Sequence, residues 1–184
     1  MSDTIEIGCA CGQVALTLDR GPFFSTECHC TSCRTAGEAL AALPLSRPML
    51  NPNGGTHFVL YRKDRIAFAR GADLLTAYRL QPDSPTRRVV ASCCKTPVFL
   101  EFQHGHWLSL YSALWLEGAL PPPEVRTVVS DRQGLPELDG DIPAGKLPTA
   151  RFYARLLVAW IAMGFKSPAI VLSRPEETIS DAIA

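Results

Sequence analysis

The stretch Ala91–Phe99, "ASCCKTPVF", sets two adjacent cysteines ahead of a Lys-Thr-Pro turn. Neighbouring side chains on a regular strand point to opposite faces, so Cys93 and Cys94 can share a site only if the backbone kinks there. What they serve depends on the other five cysteines. These fall into two further clusters, Cys9-x-Cys11 and Cys28-x-Cys30-x-x-Cys33. Seven is an odd number, which disulfides alone cannot consume. In a chain with no basic leader ahead of an apolar run, a reducing cytoplasmic setting and metal ligation are the expectation.

Sulfur is a soft ligand that suits zinc, and a tetrahedral site is commonly assembled from two separated cysteine pairs. Cys9 and Cys11 on one turn, closed by a distant pair, tie the first hairpin to a much later strand. The central triplet differs in kind. Cys28, Cys30 and Cys33 converge only if the segment curls, and three ligands leave one zinc position open, as in catalytic sites. A small thiol filling that position loses its proton and becomes a held nucleophile. The alternative is a closed site completed by His29 or by another cysteine. The bland reading, cysteines as small buried hydrophobes, suits a lone cysteine better than three clusters in one small chain.

The rest of the chain is that of an ordinary globular protein. Its 184 residues suit one domain with a terminal elaboration, and 47% hydrophobic residues suffice for a core. Eighteen basic residues balance eighteen acidic ones, which argues against a general nucleic-acid or membrane-surface binder. A local basic patch at Arg87 and Arg88 stays open. The most apolar run, "LLVAWIAMGF" at 156–165, is about half the ~20 residues a membrane span needs.

Alternation and turn residues predict a mainly β domain over 1–120. "IEIGCACGQVALTLD" reads as a hairpin about a Cys-Ala-Cys-Gly turn. "GPFFSTECHCTSCRTAG" reads as an extended run entering a compact cysteine loop. After the Asn-Gly-Gly turn come strands near 56–61 and 65–69, then "LLTAYRL", "RRVVASCC", "PVFLEF" and "HWLSLYSALWL". Gly54 and Gly55 lack the strand-to-helix setting of a phosphate loop and read as a plain turn. Residues 121–148 are Pro/Gly-rich and irregular, with at most a short strand. Over 149–184 the pattern predicts an amphipathic helix, N-capped by Thr149 and ending near Gly164, then a loosely held tail. Phe152, Leu156, Ala159, Trp160 and Met163 share a face, with Arg151 and Arg155 placed to snorkel. That face is expected to pack on the domain or on a second subunit, making a homodimer one outcome.

"GCACGQV", "CHCTSCRTAG" and the R-x-x-x-S-x-C-x-T-P pattern of Arg88–Pro97 resemble the glutathione-dependent formaldehyde-activating enzyme family, which includes centromere protein V. The likeness covers about residues 5–105. It is closest to a bacterial branch that shares "GGT", the "CC-x-TP" ending and a variable C-terminal extension. The resemblance implies a β-tent fold of antiparallel sheets pinned by zinc. It implies that Cys9, Cys11 and Cys94 are structural zinc ligands. It also implies that Cys28, Cys30 and Cys33 hold a second, catalytic zinc where glutathione binds. The family's remaining structural cysteine falls on Ala91, and its glycine after the last cysteine falls on Lys95. Cys93 is the candidate to replace the lost ligand.

Two functions follow. One is a carbon–sulfur lyase acting on a glutathione–aldehyde adduct, with Arg34 available to a substrate carboxylate, or simply solvated. The other is a non-catalytic zinc module for protein interaction. His57, His104 and His106 are acid–base candidates by residue type only. Thiol redox at Cys93–Cys94 is weaker, because redox pairs usually have two intervening residues.

Overall fold

A computed structural model describes residues 4–45, 47–116, 118–132 and 137–182. Residues 133–136 of the Pro/Gly-rich segment and 183–184 of the tail lie outside the described residues. Two sheets carry the architecture. A three-stranded sheet has the order β1 (Thr4–Gly8), β2 (Ala15–Asp19), β5 (Ile66–Arg70). An eight-stranded sheet has the order β10 (Val125–Thr127), β3 (Phe24–Cys28), β4 (Thr56–Arg62), β9 (Trp107–Tyr111), β8 (Pro97–Phe102), β7 (Thr86–Ala91), β6 (Leu75–Arg79), β11 (Glu177–Thr178).

The large sheet is buried on both faces, which explains why its strands read as continuous apolar runs rather than strict alternations. In β4, Val59 and Tyr61 join one core with Leu16, Leu18 and Leu110, while Phe58 and Leu60 join another with Leu40, Leu100 and Leu156. The first core is shared with the small sheet. The second is covered by α1 (Thr31–Leu40) and α2 (Lys146–Ala162). The protein is thus mainly β, with a C-terminal helix as expected and one helix, α1, where the sequence predicts a compact loop. Its sequence, "TSCRTAGEAL", is rich in weak helix formers, so propensity concealed it. The buried positions Cys33, Ala36, Gly37 and Leu40 nevertheless follow the i, i+3, i+4, i+7 spacing of one helical face.

The C-terminal part departs from its reading in three ways. α2 begins at Lys146 with Gly145 as N-cap, and Thr149 is not the cap: its Oγ1 donates to the Gly145 carbonyl at 2.7 Å. Pro148 therefore sits in the first turn, where a missing N–H costs nothing. Leu156, Ala159 and Met163 are buried as expected, whereas Trp160 is partly open and stacks on His106 with ring centroids 5.9 Å apart. The tail is held rather than loose. Glu177 and Thr178 run parallel to Tyr78 and Arg79, and Ile179, opening the one-turn α3 (Ile179–Ala182), is buried. Glu176 pairs with Arg79 and Arg87 at 2.5 and 2.6 Å. Arg87 also meets Glu101, which holds the buried Lys63, so no basic patch forms there. Among the described residues, no helix is long and apolar enough to cross a membrane.

Candidate metal centres and the cavity beside them

The first sulfur cluster joins the two sheets. The β1–β2 hairpin turns at Cys9–Gly12, with Gly12 in the left-handed conformation (φ 75°) and its amide donating to the Cys9 carbonyl. From the large sheet, the β7–β8 turn brings Cys93 and Cys94 to the same point. β7 ends at Ala91, whose carbonyl accepts from the Lys95 amide at 2.7 Å and whose amide donates to the Thr96 carbonyl. This tight turn is the kink that lets adjacent cysteines face one way. Lys95 closes it at φ 57°, a conformation that favours glycine. Thr96, fully buried, accepts the Ala10 amide on Oγ1 at 3.0 Å and stands 3.1 Å from Cys94 Sγ.

The four sulfurs of Cys9, Cys11, Cys93 and Cys94 all lie within 4.8 Å of one another. Cys93 Sγ is 3.8 Å from Cys9 and 3.4 Å from Cys11, and Cys9 is 3.5 Å from Cys11. A tetrahedron with Zn–S bonds of about 2.3 Å has sulfurs about 3.8 Å apart, so this donor set fits the ion in number, type and spacing. Ala91, where the resembling family has a cysteine, is fully buried in the core.

The second cluster arises from a strand-to-helix transition. Strand alternation at the end of β3 sends Cys28 and Cys30 to one side and Glu27 and His29 to the other. Cys30 is then the N-cap of α1, its Sγ accepting the Cys33 amide at 3.3 Å, and Cys33 stands three residues on. The Asp131 carboxylate completes the cap by accepting the Thr31 amide at 2.9 Å. The three sulfurs of Cys28, Cys30 and Cys33 form a second group within 4.8 Å, with Cys28 and Cys33 3.9 Å apart. Contacts with Cys28 and Cys33 hold the Cys30 thiol down to about 2, while the contact with Cys30 pushes Cys28 up to about 11. The N-terminus of α1 beside Cys30 favours negative charge on its sulfur.

His29 does not complete this set. Its Nε2 meets Glu27 Oε1 at 2.7 Å and its Nδ1 faces Arg132 at 3.2 Å. Glu27 also accepts from Asn51, Asn53 and Arg126, at 3.1, 3.1 and 2.9 Å. A Cβ on Gly55 would stand 2.6 Å from His29 Cε1 and 2.8 Å from Glu27 Cγ, so the second glycine of the "GGT" turn lets this buried pair lie against the backbone.

A cavity of about 540 Å³ is lined by the triplet, by apolar side chains and by Arg88. Arg34 does not line it; its guanidinium donates to the His29 and Asp131 carbonyls. Nor do the histidines. His57 meets Ser25 Oγ at 2.9 Å, His104 occupies a turn at φ 61°, and His106 lies under Trp160. The sequence marks Arg88 as part of a motif and of a possible basic patch, but not as a cavity residue. It is fully buried, with Nη2 on Ser32 Oγ at 2.7 Å and Nη1 on Thr86 Oγ1 at 3.2 Å.

Fold and site together define a mainly β protein with two cysteine clusters able to hold a metal ion. The chain belongs to the glutathione-dependent formaldehyde-activating enzyme family, whose model matches residues 4–114. Among solved structures, a Rhodobacter sphaeroides protein is similar at 18% identity and a TM-score of 0.46, over 77% of this chain and 100% of that one. No curated protein matches the chain.

Proposed function

We propose that the protein is a zinc-dependent carbon–sulfur lyase of β-tent architecture that makes or breaks an adduct between a thiol and a small aldehyde. The observation that carries this reading is the sulfur triplet opening on a cavity, in a member of a family described as glutathione-dependent and formaldehyde-activating. Cys28, Cys30 and Cys33 would hold the catalytic zinc, and Cys9, Cys11, Cys93 and Cys94 the structural one. Zinc in the triplet supplies positive charge that favours the deprotonated form of a thiol. In the forward direction the thiol sulfur bonds to the aldehyde carbon, the carbonyl π bond breaks, and the oxygen takes the proton the thiol gives up. The reverse step releases both molecules. The N-terminus of α1 stabilises charge on Cys30. Arg34 clips the α1 cap to the segment after β10.

The test is metal content per chain. Two zincs in the wild type, falling to one in a Cys30→Ala variant that still folds, support the reading. A single zinc that survives both Cys28→Ala and Cys33→Ala sinks it.

A second reading, an interaction module that forms a homodimer through α2, draws on the exposed Leu157, Val158, Ile161 and Phe165. Sedimentation of the wild type and of Val158→Glu distinguishes it. A dimer in the wild type that the substitution dissociates favours the module.

A further inference from the structure

Addition of a thiol to an aldehyde needs one group besides the sulfur site. As sulfur bonds to the carbonyl carbon, negative charge develops on the oxygen, and a hydrogen-bond donor aimed at that oxygen lowers the barrier. No histidine lines the cavity, and Arg34 donates to the His29 and Asp131 carbonyls instead. The hydroxyls of the cavity wall are the candidates.

Those hydroxyls are not equivalent. Thr26 gives its proton to the Val125 carbonyl at 3.0 Å, and Thr149 gives its proton to the Gly145 carbonyl at 2.7 Å. Ser32 stands between Cys30 and Cys33 in the first turn of α1, half-buried, and lines the cavity with all three sulfurs. Arg88 holds it from the protein side. Its Nη2 donates to Ser32 Oγ at 2.7 Å and to the Ser32 carbonyl at 3.2 Å, while Nη1 is fixed on Thr86 Oγ1 at 3.2 Å. Ser32 Oγ thus accepts from a cation, and its own O–H donates to no group among the described residues. A hydroxyl that accepts from a charged donor becomes the stronger donor in turn, the more so with the guanidinium buried.

We propose that Ser32 is the catalytic hydrogen-bond donor to the aldehyde oxygen, and that Arg88 is the residue that positions and polarises it. This rests on the reading of the triplet as the site of thiol addition. In the forward step the thiolate sulfur bonds to the carbonyl carbon and the π electrons move to oxygen. Ser32 Oγ–H holds that oxygen until it takes the proton the thiol released, and Ser32 keeps its own proton throughout. In reverse the same donor holds the oxygen while the carbonyl re-forms and sulfur leaves. Arg88 acts from behind Ser32 and does not touch the substrate.

The experiment uses the zinc-loaded full-length protein with glutathione and formaldehyde as probes. Exchange NMR follows their interconversion with the adduct, and titration calorimetry gives the affinity for glutathione. Ser32→Ala should lower kcat about tenfold or more, with KM and Kd within about twofold of wild type and zinc content unchanged. Ser32→Thr, which keeps the hydroxyl, should recover most of the rate. Arg88→Lys should lower kcat several-fold in the wild type and not in the Ser32→Ala background, because both act through one hydroxyl. A Ser32→Ala rate within about twofold of wild type overturns the proposal. So does a loss carried by KM and Kd or by zinc content, which makes Ser32 a binding or structural residue. A rate that Ser32→Thr does not restore assigns the effect to shape and overturns it too. Additive losses overturn the role of Arg88 alone. All of these leave the triplet reading standing. A wild type that binds no thiol and does not speed the exchange overturns that reading and this inference with it.

Discussion

Glu27 Oε1 lies 2.7 Å from His29 Nε2, and the two side chains alternate along the chain with Cys28 and Cys30, which line the cavity. The "ECHC" stretch therefore does two jobs at once. Its odd positions build a buried polar cluster that fixes the backbone, and its even positions present sulfur.

That cluster has a pH signature. The hydrogen bond from His29 outweighs burial and, with Asn53, Arg126 and Asn51, holds the Glu27 carboxyl down to about 2, from an ordinary 4.5. A depressed carboxyl contributes stability above its unfolded value and loses it as pH falls through the folded one. Glu27→Gln should cost about 3 kcal/mol at pH 7, and the gap to wild type should close between pH 4.5 and about 2. Urea unfolding across that window measures it; a gap independent of pH would show that the charge is immaterial.

The same cluster sets the demand at the turn. With His29 Cε1 2.6 Å from where a Cβ would stand, Gly55→Ala should destabilise by about 2 kcal/mol. Gly54→Ala would test φ instead, since Gly54 has φ 77° and no contact closer than 3.8 Å. Thermal unfolding of the two variants separates steric from conformational cost, and an unperturbed Gly55→Ala would refute the close packing.

Lys95 occupies a left-handed position where the resembling family carries glycine, at φ 57°. Lys95→Gly should stabilise the β7–β8 turn by about 1 kcal/mol, whereas Lys95→Ala should not. Denaturant midpoints of the zinc-loaded protein give the answer, equal gains from both substitutions being the adverse result.

The buried Ile179 pins the C-terminal strand against the large sheet. Ile179→Ala should cost about 2 kcal/mol and expose backbone at β11. Faster hydrogen exchange at Tyr78 and Arg79, the partners of β11, would report the loss locally; unchanged exchange there would mean the tail is held by its ion pairs alone.

Much of this protein was determined locally. Hairpins, turn glycines and apolar runs depend on neighbours a few residues apart, so the β1–β2 turn, β4 to β9 and the end of α2 just before Gly164 were readable from the chain. So was the grouping of the cysteines, because sulfur ligands at short spacing leave little other use for themselves. Tertiary structure decided the rest, through contacts far apart in sequence. It made "TSCRTAGEAL" a helix by burying Leu40 and capping Cys30, overriding weak propensity. It drew residues 177–178 beside β6 through Glu176 and Ile179. It brought Cys93 within 3.4 Å of Cys11, which only the packing of one sheet on the other could do. And it set the buried Arg88 against a cavity that α2 helps to line from outside the family's own segment.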